Sequence, residues 1–506
     1  MNQKYPVGIQ DFEKLRSENY VYVDKTKFVW EIAKWGGYFF LSRPRRFGKS
    51  MLISTLEALY KGKKALFDGL YIADKWDWNV TSPVIKISFS NIGYKDKGLF
   101  AAINDSLDAT AREYDIELKD NYNSGKFKEL IETLSKRFGK VVVLVDEYDK
   151  PIIDSLGVDT PKALENREIL KSFYSILKDA DPYLRTVLIT GVSKFARVSI
   201  FSDLNNLTDL TIDTKFASVC GISQEELEFT FKEELQFFDK EKIKTWYNGY
   251  SWGGESSVYN PFSLLHFFRG KEFKNYWFES ATPTFLINLS KKQDLFNYEN
   301  VRVSALQLGA YDLEKINALP LMFQTGYLTI KEYDDETGIY TLDYPNQEVR
   351  QSFLEALANN YTDNPLESTK VLADTLRTIL KKNELEKLQS LLNTLFKSIP
   401  YEIWQRDNEH FYHAIIHLTF RLLGIYVESQ VQTSDGRIDA IVQIEQYVYA
   451  FEFKLDVSAE AALQQIKTKQ YLQAYQNQGK TCIGVGVNFS TQTKKVQEIL
   501  WEEINA

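Results

Sequence analysis

The sequence predicts an α/β protein. It opens with a mostly parallel sheet flanked by helices, continues through a helical middle region ending in a short strand pair, and closes with a smaller α/β domain. Three observations predict this. Apolar strand-like runs alternate with helical patterns over residues 36–215. Helical spacing dominates 216–400, apart from Gly/Tyr-rich stretches near 246–261 and 326–345. A helix–strand–strand–strand–helix–strand order fills 401–506. The expected domains are therefore 1–215, 216–345, a helical connector at 346–400, and 401–506.

The bulk properties set limits. A chain of 506 residues has room for about two to four domains with their own cores. Its 44% hydrophobic and 26% charged residues are ordinary for a soluble globular protein. Net charge is −8, so any nucleic-acid surface must be local rather than global. Cys220 and Cys482 lie far apart in sequence, which argues against a disulfide framework or a cysteine metal site and suits a reducing compartment. The opening residues carry no apolar signal region and no span reaches transmembrane length, so the expectation is a cytoplasmic protein with no membrane partner.

Taken in order, residues 1–35 give a polar entry segment and a helix near Lys27–Trp35. Asp24 is a candidate cap for that helix. Tyr38-Phe39-Phe40-Leu41 then reads as a buried strand, and Met51-Leu52-Ile53-Ser54-Thr55-Leu56 as a helix. Between them lies Ser42-Arg43-Pro44-Arg45-Arg46-Phe47-Gly48-Lys49-Ser50. Strand, tight loop, Gly-Lys-Ser and helix are the parts of a phosphate-binding P-loop. Backbone N–H groups and the helix dipole favour an anion there. Gly48 permits close approach, Lys49 reaches the β- and γ-phosphates, and the Ser50 hydroxyl suits Mg²⁺. Arg45, Arg46, Phe47 and Met51 flank these residues and are read as nucleotide contacts. Arg43 stands where the usual pattern has glycine, leaving Pro44 as a candidate for the turn.

Further strands are expected at Pro83–Phe89, Val141–Val145 and Arg185–Val192, with helices at Gly98–Tyr114, Phe127–Phe138 and Glu165–Asp179. Val141–Val145 is apolar throughout, as a strand buried on both faces requires, and runs into Asp146-Glu147-Tyr148-Asp149. Asp146 suits Mg²⁺, and Glu147 suits polarising the attacking water. Thr190 and Ser193 are either sensor-like groups at the γ-phosphate or satisfied loop hydroxyls. Lys194 or Arg197 could neutralise charge on the transferring phosphoryl group, in cis or in trans.

The combination of Arg43-Pro44-Arg45-Arg46-Phe47-Gly48-Lys49-Ser50 with Leu144-Val145-Asp146-Glu147-Tyr148-Asp149 resembles the AAA-ATPase-like family that carries a C-terminal PD-(D/E)XK nuclease-like domain. Tyr22-Val23-Asp24-Lys25-Thr26, Phe201–Asp209, Tyr247-Asn248-Gly249-Tyr250 and Tyr259-Asn260-Pro261 are similar to the same family. Arginine at position 43 is the form this family uses. The resemblance implies ATP and Mg²⁺ as ligands, and a role for Tyr22–Thr26 over the base or beneath the P-loop.

In the middle region, Ser223-Gln224-Glu225-Glu226 reads as a helix start with acids in its first turn. Trp246–Pro261 reads as an ordered loop or hairpin, and Gly326–Lys331 with Gly338–Pro345 as a strand pair. A helical lid with a winged-helix-like end fits, as does a packing domain. Glu367–Leu380 and Glu384–Phe396 read as helices broken at Lys381-Lys382-Asn383. No flexible linker is evident, so the domains are expected to pack together.

At the C-terminal end a helix is expected at Glu409–Leu423, strands at Ile425–Thr433, Gly436–Val442, Tyr447–Leu455 and Thr481–Phe489, and a helix at Ala459–Gln476. Asp439 on the second strand and Glu452-Phe453-Lys454 on the third resemble the restriction-endonuclease-like PD-(D/E)XK core. Phosphodiester cleavage needs a divalent cation, and Asp439 and Glu452 are hard oxygen ligands suited to Mg²⁺. Glu452 and Lys454, two apart in a strand, share a face. The resemblance implies supporting roles for Gln465 and Tyr471 on the following helix. Glu409 or Glu428 could add a carboxylate. His410, His413 and His417 fall near one helical face, but without cysteines they read as packing or support rather than as a zinc site.

These readings converge on a P-loop ATPase joined to a metal-dependent nuclease acting on nucleic acid, DNA foremost. Nucleotide state is expected to gate cleavage, and a homo-oligomer is left open. Two alternatives stand: a nucleotide switch whose nuclease fold is inactive, and a nuclease whose P-loop domain is a relic.

Overall fold

The computed structural model describes residues 4–156, 158–193, 200–201, 204, 206–253, 256–278, 284–293, 295, 297–309, 317–361, 369–397, 418–421, 428–434, 437–476 and 478–504. The chain forms two units, one of Met1–Leu289 with Tyr298–Val349, the other of Ser290–Asn297 with Arg350–Ala506.

In the first unit, β1 (Gly37–Ser42), β2 (Val84–Ser88), β3 (Val141–Asp146), β4 (Leu184–Gly191) and β5 (Leu207–Asp209) pair in the order β2-β3-β4-β1-β5. Every pairing is parallel. All six residues of β3 are buried, which is why its sequence is apolar without alternation. Helices Lys49–Tyr60, Leu99–Glu113, Asn123–Phe138 and Thr160–Asp179 lie in the connections that parallel pairing demands. Parallel strands deliver their C-terminal ends to one edge. The register sets Ser42 level with Gly191 and Ser88 level with Asp146. The P-loop and the acidic motif therefore emerge side by side, one strand apart.

The remainder of this unit is built on caps. Ser223 and Glu226 form a reciprocal capping box at the start of Gln224–Thr230. Asn260 accepts from Phe262 N and Ser263 N, with Pro261 as the first residue of Pro261–Gly270. Tyr259-Asn260-Pro261 is thus a helix entry. Within Trp246–Pro261, expected as a loop or hairpin, an antiparallel bridge pairs Tyr250 with Val258. Gly249 has φ 100°, and a Cβ there would meet Pro345 O at 2.0 Å. Gly326 is the left-handed cap of Ala318–Thr325, so the strand expected from Gly326 starts at Thr329. β7 (Thr329–Asp334) and β8 (Ile339–Asp343) pair antiparallel, and β6 (Val301–Ser304), unexpected from sequence, joins them in the order β6-β8-β7.

In the second unit, Thr369–Lys382 and Leu388–Lys397 are helical, with the break at Asn383 in a left-handed conformation. A mixed sheet follows: β9 (Glu428–Ser434), β10 (Arg437–Ile444), β11 (Tyr447–Leu455), β12 (Thr481–Ser490) and β13 (Lys495–Glu503), in the order β13-β12-β11-β10-β9. Only β11 and β12 pair in parallel, joined by helix Ala459–Lys469. Gly486 lets this helix lie directly on the sheet, since a Cβ there would stand 2.3 Å from Ala459 O. The helix ends earlier than expected, because Gln470 turns left-handed at φ 53°. Tyr471 therefore lies beyond the helix rather than on it, packed at the edge of the core of Val448, Leu463 and Ile466.

Candidate functional site

The P-loop turns at Arg46 (φ 67°) and Gly48 (φ 100°), not at Pro44, and Gly48 caps helix Lys49–Tyr60. Lys49 is buried, its ammonium donating to the carbonyls of Arg43 (2.9 Å) and Pro44 (3.0 Å). Arg43 points away from the anion position. Its fully buried guanidinium donates to the carbonyls of Ser42 (2.9 Å), Thr211 (2.8 Å) and Phe216 (3.0 Å), and lies 4.0 Å from the Trp252 ring centre. Burial pushes its pKa down to about 10, so it remains charged at neutral pH.

The residues after Arg43 are held from outside. Pro44 packs against Gly326, whose Cβ would come within 2.7 Å of the proline ring. Trp277 Nε1 donates to Arg45 O (3.1 Å), the Arg46 guanidinium lies 4.1 Å from the Phe262 ring centre, and Phe47 packs edge-on against Tyr250 and Trp252. The Tyr247–Tyr250 stretch and its neighbours therefore grip the loop by aromatic contact.

The acidic motif meets the P-loop across β4. Asp146, at the end of β3, is buried and accepts from the Thr190 hydroxyl at 2.7 Å. Of the two readings of Thr190, a nucleotide contact at the γ-phosphate or a satisfied hydroxyl, the geometry matches the second: it is fully buried, its hydroxyl donates to Val145 O and Asp146, and it does not line the cavity. Glu147 takes φ 54°, a strained value for a non-glycine residue, and its carboxylate accepts from the Ser90 hydroxyl. Asp149, completely buried, accepts from Val192 N (3.0 Å), Ser193 N (2.7 Å) and Ser193 Oγ (2.6 Å). Burial pushes its carboxyl up, against the pull of those donors. Ser193 is thereby a satisfied loop hydroxyl. Lys194 and Arg197 lie outside the described residues.

A cavity of about 550 Å³ opens between these parts, within the range of small-molecule sites. Arg45, Arg46, Phe47, Gly48, Lys49, Ser50 and Met51 line it, as do Ser90, Glu147 and Lys150 on its polar side. Its other wall is apolar and includes Val21, Val23, Ile222, Phe231 and Leu265. Tyr22 and Lys25 line it too. Lys25 is tied to Glu226 (2.6 Å) and Ser218 O (2.7 Å). Asp24 precedes the cap position of helix Thr26–Ala33, accepting from Thr26 N and Tyr71 N. A polar end built on a helix N-terminus and an apolar end match an ionised phosphate chain and a flat heterocycle. Among the described residues no three His, Cys, Asp or Glu side chains gather into a metal cage. The oxygen donors present are the Asp146 carboxylate and the Ser50 hydroxyl, the hard ligand types that Mg²⁺ takes beside substrate phosphates.

In the second unit, β10 and β11 pair so that Asp439 stands directly opposite Glu452. At Asp439 the described structure is the backbone. Glu452 is fully buried, with Lys454 Nζ 2.9 Å from its Oε1. Lys454 also donates to Gln465 Oε1 at 2.6 Å, which brings the helix residue to the strand pair. The Nε2 of Gln465 is buried with no hydrogen-bond partner among the described residues. Asn488 was missed in the sequence. On β12 it lies level with Lys454, and its Oδ1 is likewise buried without a partner among the described residues. Its signal was a lone amide in the apolar run Cys482–Phe489. Glu409, His410, His413 and His417 lie outside the described residues, and at Glu428 only the backbone is described.

Comparison with known proteins gives a family match over each module. Residues 6–201 match the family described as predicted AAA-ATPase, and residues 407–499 match the PD-(D/E)XK nuclease superfamily. Over 519 aligned residues the chain is 40% identical to the "uncharacterized protein in vnfD 5'region" of Azotobacter chroococcum mcd 1, with 99% of each chain covered. With a nucleotide-binding module at one end and a nuclease-like module at the other, the chain belongs to the AAA-ATPase-like proteins that carry a C-terminal PD-(D/E)XK nuclease-superfamily domain.

Proposed function

We propose that the first unit binds and hydrolyses ATP with Mg²⁺, and that the second cleaves phosphodiester bonds of nucleic acid, DNA foremost, with a divalent metal. The observation that carries the first half is the convergence of Lys49, Ser50 and Glu147 on one cavity that is also lined by an apolar cluster. Gly48, Lys49 and the helix N-terminus hold the phosphates, while Arg45, Arg46, Phe47 and Met51 border them. Ser50 and Asp146 would hold Mg²⁺, which when bound offsets phosphate charge. Thr190 orients Asp146, and Ser90 orients Glu147. A water oxygen, polarised by Glu147, bonds to the γ-phosphorus. The bond from that phosphorus to the β,γ-bridging oxygen breaks, ADP leaves, and the water proton passes to the Glu147 carboxylate.

In the second unit, Asp439 and Glu452 would hold the metal, which when bound stabilises charge on the phosphodiester. Lys454, fixed by Gln465, orients the attacking water or balances phosphate charge. Two buried free thiols suit a reducing compartment, and no described helix is long and apolar enough to cross a membrane, so we read the protein as cytoplasmic.

The test of the first half is ATP binding and turnover by wild type, Lys49→Ala and Glu147→Gln. Lys49→Ala is expected to weaken binding by roughly 10- to 100-fold. Glu147→Gln is expected to bind ATP normally and turn over slower by a factor on the order of 10²–10⁴. Equal turnover by all three would overturn the reading.

A further inference from the structure

Four charged groups meet beside the P-loop cavity, and of them only Arg45 has been given a role above. Asp154 follows the short helix Lys150–Ile153. Its carboxylate takes Lys95 Nζ at 2.7 Å and the Tyr94 hydroxyl at 2.9 Å. It also faces Lys150 Nζ at 3.5 Å and Arg45 Nη2 at 3.7 Å. The two pairs differ. Lys95 and Tyr94 are at hydrogen-bond distance and do not line the cavity. Lys150 and Arg45 line the cavity and stand beyond hydrogen-bond distance. Asp154 is therefore anchored by groups outside the cavity lining, and its charge loosely poises the cations of two lining residues. One carboxylate against three cations leaves the cluster net positive, beside Glu147 and Ser90 at the polar end of the cavity.

We propose that Lys150, with Arg45 beside it, neutralises charge on the transferring γ-phosphoryl group from within the same chain, with Asp154 as the rest that holds both cations in place. This rests on the ATP-hydrolysis reading above. As the bond to the β,γ-bridging oxygen breaks, negative charge grows on that oxygen and spreads over the phosphoryl oxygens, and an ammonium already in the cavity meets it without reorganisation. Lys150 is placed for this by sequence: it follows Glu147 by three residues, and its backbone N–H donates to Glu147 O, so the two side chains share one turn. Burial pushes the Asp154 carboxyl up, but the Lys95 ammonium, the Lys150 charge and the Tyr94 hydroxyl outweigh it and hold the group below the usual carboxylate range. The rest thus stays ionised at neutral pH.

The experiment measures kcat, KM and directly titrated ATP affinity for wild type, Lys150→Met, Lys150→Arg and Arg45→Met. Lys150→Met is expected to lose on the order of 10²–10³ in kcat while ATP affinity changes less than about tenfold, and Lys150→Arg to restore most of the loss. Mixing Lys150→Met with Lys49→Ala is expected to restore nothing, because each chain needs its own lysine. Wild-type kcat in Lys150→Met, or activity regained on mixing, would overturn the proposal. If wild type and Lys49→Ala bind and hydrolyse ATP alike, the nucleotide reading itself falls and takes this inference with it, an outcome distinct from the other two.

Discussion

Arg43 shows how one residue can leave a motif and still serve it. A glycine at this position would only free the backbone. The arginine instead ties the P-loop strand to Thr211 and Phe216 and stacks on Trp252. Arg43→Gly should lower stability by roughly 2–4 kcal/mol, because three buried carbonyls lose their donor and a large side chain leaves a void. Urea unfolding would measure this, and an unchanged midpoint would contradict the strut role. The Asp154 latch has a pH signature. A carboxyl held below its ordinary value contributes stability that is fully present above about pH 4 and is lost as pH falls through the lower folded value. The stability difference between wild type and Asp154→Asn should therefore stay constant through neutral pH and shrink only in acid. A difference that vanished near pH 7 would contradict it. At this scale the placing of Lys49, Asp146 and Glu147 at neighbouring strand ends, and of Glu452 beside Lys454, was legible because it is written in short motifs. The contacts of Asp149 and Asp154 were not, because Val192, Ser193, Lys95 and Arg45 reach them from far along the sequence.

Among the elements, the strands buried on both faces were the easiest to read. Val141–Asp146 admits no other interpretation, since a continuous apolar run of five residues ending in an acid suits neither a surface helix nor an edge strand. The edge elements were harder. β13 has the sequence Lys495-Val496-Gln497-Glu498-Ile499-Leu500-Trp501-Glu502-Glu503, buried at only two of its nine positions, and such a half-polar run does not separate strand from helix. β6 is four residues long and leaves almost no pattern. The early end of helix Ala459–Lys469 depended on Gln470 turning left-handed, which glutamine does not announce. The close packing of that helix was written in Gly484 and Gly486, yet a glycine in a strand also reads as a bulge. Gly486→Ala should cost about 1–3 kcal/mol through overpacking against Ala459 O and Leu463 N. A thermal scan resolving the second unit would measure it, and an unchanged transition would show that the helix can retreat freely.

For the molecule as a whole, an AAA-ATPase-like module and a nuclease-like module stand in two separate structural units of one chain. The first was legible in outline from the P-loop and the acidic strand, and the second from the order of Asp439, Glu452, Lys454 and Gln465. Neither outline disclosed the aromatic grip on the P-loop, because Phe262, Trp277 and Gly326 reach it from more than two hundred residues away. One chain carrying both centres leads us to expect that ATP governs cleavage. The most direct measurement incubates purified wild type, Lys49→Ala and Glu452→Ala with single- and double-stranded DNA and RNA in Mg²⁺, with and without ATP. The account predicts cleavage by wild type that responds to ATP, cleavage by Lys49→Ala that ignores ATP, and none by Glu452→Ala. Equal products from wild type and Glu452→Ala, or no cleavage of any substrate by wild type, would contradict it.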